Sequence, residues 1–273
     1  MVKGFQKKFT LLELLIVIAI IGILLSLLLP SLTKAKEQAK MAYCLANQKQ
    51  IAAAFILYAT NHDSFMPPGD HHFPNLLVNN DYLTAPRKVP AASWSEFTVD
   101  VELTKEASVF KCPSGLEDRI SNNVIAFNWN IINHPESMRP WRSMNDSISG
   151  KGGIDVWYGV PGISYKAGTR NGAKSGVAFN NFRVRDRNPK DPWPQLFRII
   201  DGEKSLMLHD GSNGINTHAG TGGRISARHV FGKYTNALFF DGHASPANYV
   251  QFLNGRGDDI NSGSSIVWQG YQW

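Results

Sequence analysis

Residues 9–30 read FTLLELLIVIAIIGILLSLLLP, an apolar run broken by one acid, Glu13, close to its start. At about 1.5 Å of rise per residue, about 20 apolar residues match the roughly 30 Å hydrocarbon core of a bilayer, so the stretch predicts a membrane-spanning helix. It is longer than the core of a secretory signal. No small-residue cleavage site follows it, because Leu32, Lys34, Lys36, Glu37 and Lys40 lead straight into a charged helical pattern. The segment is therefore expected to stay attached and to tether the rest of the chain. An ionised carboxylate inside hydrocarbon costs ~2.5–3.5 kcal/mol on insertion scales. Glu13 is accordingly expected either to meet a partner amine or to reach back to the headgroups. Lysines flank the span on both sides, with Lys3, Lys7 and Lys8 before it and Lys34, Lys36 and Lys40 after it, so charge asymmetry alone does not orient it.

Outward from this run, residues 31–61 contain no Gly or Pro and are rich in Ala, Lys, Gln and Leu, good helix formers. The helix is expected to continue out of the membrane. Met41, Cys44, Leu45, Gln48, Ile51, Ala52, Phe55 and Tyr58 recur at helical spacing, with Gln48 the one polar interruption. That stripe predicts a face covered by a following domain, with Phe55 and Tyr58 as packing residues. Asn61, His62, Asp63 and Ser64, followed by Pro67, Pro68 and Gly69, mark its end.

The order Lys7-Lys8-Phe9-Thr10-Leu11-Leu12-Glu13 before an Ile/Leu/Val run resembles the N-terminal signature of type IV pilins and type II secretion pseudopilins. The resemblance implies that a leader, residues 1–8, is removed by a prepilin peptidase between Lys8 and Phe9, where the family carries Gly before the cut. It further implies that Phe9 is methylated, that Glu13 neutralises a neighbour's terminus, and that Gly22 and Pro30 loosen the assembly helix. It implies a single-pass protein of the bacterial inner membrane, N-terminus cytoplasmic, co-assembling with itself or other pilin-like subunits. Later residues resemble a pseudopilin-like group with Cys-x-x-Asn-x-x-Gln after the span, a mid-chain Cys-Pro and a His…Asp-Gly pair. Here these are Cys44, Asn47 and Gln50; Cys112-Pro113; and His229 with Asp241-Gly242.

The expected architecture is α+β: an assembly helix over 9–32, its amphipathic continuation over 33–62, and a head over 63–273 built on an antiparallel sheet lying on the helix. The sequence predicts a short helix near Asn75–Tyr82, a short strand over 107–114, and strands over Val124–Ile132, Phe197–Ile200, Ser205–His209 and Thr235–Phe240. Sharp turns are expected at Asp210-Gly211 and Asp241-Gly242, with His243 opening the return strand. Cys44 and Cys112 either pair as a disulfide or remain two buried thiols.

The +6 formal charge of the 273 residues is scattered, with no basic block, so nucleic acid is not an expected partner. Glycine-flanked serine motifs of hydrolases are absent and no catalytic residue is assigned. The metal candidates are His209, Asp210, Asn213, His218, His229, Asp241 and His243, whose imidazoles suit Zn and whose oxygens suit Ca. The competing structural reading has His229 and Asp241 fastening the two ends of a hairpin, and His209 and His243 capping strand ends. Trp129, Trp141, Trp157 and Trp193 are read as core or loop anchors, with a sugar-stacking platform as the alternative. A membrane-anchored binding module that is never processed, engaging polysaccharide or protein, is the rival to the filament subunit.

Overall fold

The structure is a computed structural model that describes residues 10–64, 67, 73–86, 106–116, 141–142, 153–159, 203, 206–211, 225–248, 256–257 and 266–267. Lys8 and Phe9 lie outside the described residues, as do Asn213, His218, Trp129, Trp193 and the strands expected over 124–132 and 197–200.

The first element, α1, is one 51-residue helix, Leu11–Asn61. Thr10 caps it: its hydroxyl accepts the Glu13 N–H at 3.2 Å, and the Glu13 carboxylate accepts from the Thr10 backbone N–H at 2.9 Å. This reciprocal pair satisfies two of the donors that every helix start leaves open. The first half of α1 is fully exposed and is long and apolar enough to cross a membrane. Pro30 lies inside the helix, which continues through it. Pro lacks the N–H that would bond the carbonyl one turn earlier. Around it Ser26, Ser31 and Thr33 turn their hydroxyls back onto the carbonyls of Ile23, Leu28 and Leu29. In hydrocarbon such internal bonds are the available way to satisfy a hydroxyl.

Burial begins at Cys44 and follows the expected stripe through Gln48, Ile51, Ala52 and Phe55, with Asn47, Ala54 and Ala59 added to it. The helix ends where Asp63 and Ser64 adopt positive φ, and the Ser64 N–H bonds back to the Ala59 carbonyl at 2.8 Å. Helix α2, Phe73–Asn79, sets Phe73 against Phe55 with ring centroids 5.2 Å apart.

A four-stranded antiparallel sheet of order β3-β4-β5-β6 lies on α1: β3 is Tyr158–Gly159, β4 Leu206–Asp210, β5 Tyr234–Phe239 and β6 Ala244–Asn248. Two short pairs stand apart from it, β1 (Trp141–Arg142) with β2 (Asp155–Val156), antiparallel, and β7 (Arg256–Gly257) with β8 (Ile266–Val267), parallel. Side chains alternate across the sheet. On β5, Leu238 joins the helix-side core, where Phe240 packs just beyond the strand end, while Ala237 and Phe239 join a second cluster with Leu206, Ile225 and Ala227 on the other face. The edge strand β6 carries Pro246, which has no N–H to offer a further strand.

Three local expectations are corrected. Residues 107–114 form turns instead of a strand: the Ser108 hydroxyl and carbonyl take the Phe110 and Lys111 N–H groups, diverting them from a ladder. Asp210-Gly211 is not a hairpin turn. Gly211 extends the strand, bonding the Trp157 carbonyl and bridging Ile225. Asp241-Gly242 does turn tightly, with Gly242 at φ +86°, but the short helix expected at 75–82 sits two to three residues earlier.

Candidate functional site

The inner end of the sheet meets α1 in a polar pocket closed from solvent. Its centre is Asp210, the last residue of β4, fully buried on the helix side. One carboxylate oxygen accepts from Gln48 Nε2 at 3.0 Å; the other accepts the Asn236 backbone N–H at 2.6 Å and lies 2.9 Å from His229 Nε2. Helix, central strand and the loop before it are thus joined through one side chain. Such a buried carboxylate is tolerable only because it is bonded on several sides.

Asn236 completes the link, its Nδ2 donating to the Met41 carbonyl at 3.1 Å while standing 3.2 Å from His229 Nε2. Arg228, only 3% exposed, donates from Nη1 to the Trp157 carbonyl at 3.0 Å. Desolvation pulls its guanidinium below the ordinary arginine range, opposed by the Asp210 charge. Tyr158 is pushed upward, first by burial and then by Asp210, so its hydroxyl stays neutral. That hydroxyl donates to the Lys111 carbonyl at 3.2 Å, and Asn47 Nδ2 donates to the same carbonyl at 2.9 Å.

Cys44 on α1 and Cys112 in the 106–116 loop form a disulfide beside this network, with Cα atoms 5.4 Å apart. Cys112 Sγ lies 3.8 Å from His229 Nε2. Cys44, Cys112 and His229 are all fully buried, and a ligand atom of each lies within 4.8 Å of the others.

Of the residues singled out from the sequence, Asp210 and His229 come together. His209 turns away, placed one residue earlier on a strand whose faces alternate, its Nδ1 against the Asp210 carbonyl at 3.0 Å. Asp241 and His243 form their own exposed pair at the β5–β6 tip, 2.6 Å apart. His229 and Asp241 therefore do not fasten one hairpin: His229 pairs with Asp210, because the 230–233 turn folds it inward. Gln50 is exposed and Gln48 takes the buried role; on a helix these two residues lie about 200° apart, so only one can face the sheet. Trp157 is fully buried, its Nε1 bonded to the Leu116 carbonyl at 3.1 Å, which removes it from any surface platform. The sequence reading missed Asn236 and Arg228. Asn236 was detectable as the polar member of a core-facing row with Leu238 and Phe240.

Comparison of the chain with protein-family models, with curated proteins and with solved structures finds no match.

Proposed function

We propose that this chain is a pilin-like or pseudopilin-like subunit that assembles into a filament of the type II secretion or type IV pilus kind through the apolar half of α1. The observation that carries the reading is the continuous helix itself: its first half is wholly exposed and apolar with one acid in its opening turn, and its second half is gripped by a sheet. In the proposed mechanism the leader 1–8 is cut at Lys8-Phe9 by a prepilin peptidase in the bacterial inner membrane. Phe9 is methylated, and Glu13 exchanges its bond to Thr10 for the terminal amine of a neighbour. The apolar faces then leave the bilayer to pack on one another, with Gly22 and Pro30 giving the helix room to adjust. The head would stand on the periplasmic side before assembly.

Two measurements test this. Intact mass and N-terminal sequencing of the chain from native membranes should give a product beginning at N-methylated Phe9. A full-length product would instead make the protein a permanent anchor for a binding head. Glu13→Ala should abolish filament incorporation while leaving the head folded; incorporation at the wild-type level would refute the role of Glu13.

A further inference from the structure

The polar network around Asp210 contains one conflict, and it points to a ligand. His229 Nε2 faces Asp210 Oδ2 at 2.9 Å, Asn236 Nδ2 at 3.2 Å and Cys112 Sγ at 3.8 Å. As an N–H it suits Asp210 and opposes the Asn236 amide; as a lone pair it suits the amide and opposes the carboxylate. Nδ1 of the same ring, buried, has no hydrogen-bond partner among the described residues. The pocket thus gathers an imidazole nitrogen, a carboxylate oxygen and two sulfurs with no exposure to water.

We infer that when the disulfide is reduced, Cys44 Sγ, Cys112 Sγ and the His229 imidazole form a three-ligand protein site for a zinc-type divalent cation, with Asp210 as the carboxylate next to the imidazole. Thiolate and imidazole ligands select such an ion and discriminate against calcium. Ligand atoms about 2.0–2.3 Å from a tetrahedral zinc stand roughly 3.3–3.8 Å from one another. The Cys112–His229 separation already has that value, and the two sulfurs reach it when their bond is broken and one side chain rotates. A cation held by the imidazole would also offset the charge of the Asp210 carboxylate, whose Oδ2 lies 2.9 Å from Nε2. Atoms and electrons balance: a dithiol reductant gives two electrons and two protons to the S–S bond, becoming a disulfide itself, and zinc then displaces the two thiol protons. In the reverse direction an incoming disulfide takes two electrons from the thiolates, the S–S bond reforms and the ion leaves. The site holds either a disulfide or a metal, never both. This is independent of whether the chain enters a filament.

The test uses the full chain in detergent micelles, oxidised or reduced, titrated with Co²⁺ and then Zn²⁺. The reduced chain should bind one Co²⁺ with a sulfur-to-cobalt charge-transfer band in the near ultraviolet and intense visible bands of a tetrahedral ion, discharged by Zn²⁺. The oxidised chain should show none. Cys112→Ser should lose the charge-transfer band, and His229→Gln should shift the visible bands. Should either variant fail to fold, alkylation decides on the wild type: Zn²⁺ must slow iodoacetamide modification of Cys44 and Cys112 in a chain whose near-ultraviolet dichroism matches the oxidised form. Absence of the band in the reduced chain, its persistence in Cys112→Ser, equal alkylation rates with and without Zn²⁺, or protection only in a chain that has lost native dichroism would each overturn the proposal.

Discussion

At the scale of single residues, Asp210 is where the head is most sensitive. It receives Gln48 from the helix, the Asn236 backbone from the central strand and His229 from the loop before that strand. Asp210→Ala leaves those donors buried without an acceptor, and breaking a buried bonded charge costs about 3–5 kcal/mol. Asp210→Asn keeps the shape and some acceptors, so its cost should be smaller. Urea unfolding followed by tryptophan emission should rank wild type above Asp210→Asn above Asp210→Ala; an Asp210→Ala midpoint equal to wild type would show that the network contributes nothing net. The sequence singled out Asp210 and His229 among seven metal candidates but paired His229 with Asp241. It could not indicate that they meet each other, because the strand register and the 230–233 turn that brings His229 inward are set by long-range packing. In that turn Val230 and Phe231 both take positive φ, a conformation bulky residues rarely adopt and one that no local rule assigns to them.

At the scale of elements, α1 was the most legible. Its length, its exit from the apolar run and its inner stripe all follow from composition and a 3.6-residue period, and its end falls where short polar residues tolerate positive φ. Strands β4 and β5 were legible to within a residue because each carries an apolar run. The failed strand at 107–114 shows the limit: alternation there reflects anchoring of Phe110 and Cys112 in the core from a turn, and burial of alternate side chains does not require a ladder. The helix stripe yields a direct test. Phe55 is fully buried against Phe73, whereas Leu57, two residues on, is about half exposed at 52%. Phe55→Ala should cost about 3–5 kcal/mol of head stability, while Leu57→Ala should change it by about 0.5 kcal/mol or less. Circular dichroism in a urea series separates the two, and equal losses would mean that a different face of α1 carries the head.

At the scale of the whole molecule, the α+β arrangement of a long helix under an antiparallel sheet was readable, while the arrangement of its parts was not. Nothing local reveals that Cys112 lies over Cys44, since the two are 68 residues apart in sequence. That separation makes the cross-link thermodynamically large: by loop-closure entropy, tying a loop of this length restricts the unfolded chain by on the order of 4 kcal/mol. Reduction, or Cys44→Ser, should lower the urea midpoint of the head accordingly. A shift below about 1 kcal/mol would indicate that the unfolded chain is already compact there.

The position of Cys44 also matters mechanically. It is the first buried residue that the chain reaches after leaving the apolar run, and it is covalently joined to the head. Tension drawn along the exposed half of the helix is therefore passed to the head at its nearest edge through a covalent bond. The hydrogen bonds and apolar contacts farther up the helix are shielded from being peeled apart one by one, and the head moves as a unit with the helix that pulls it.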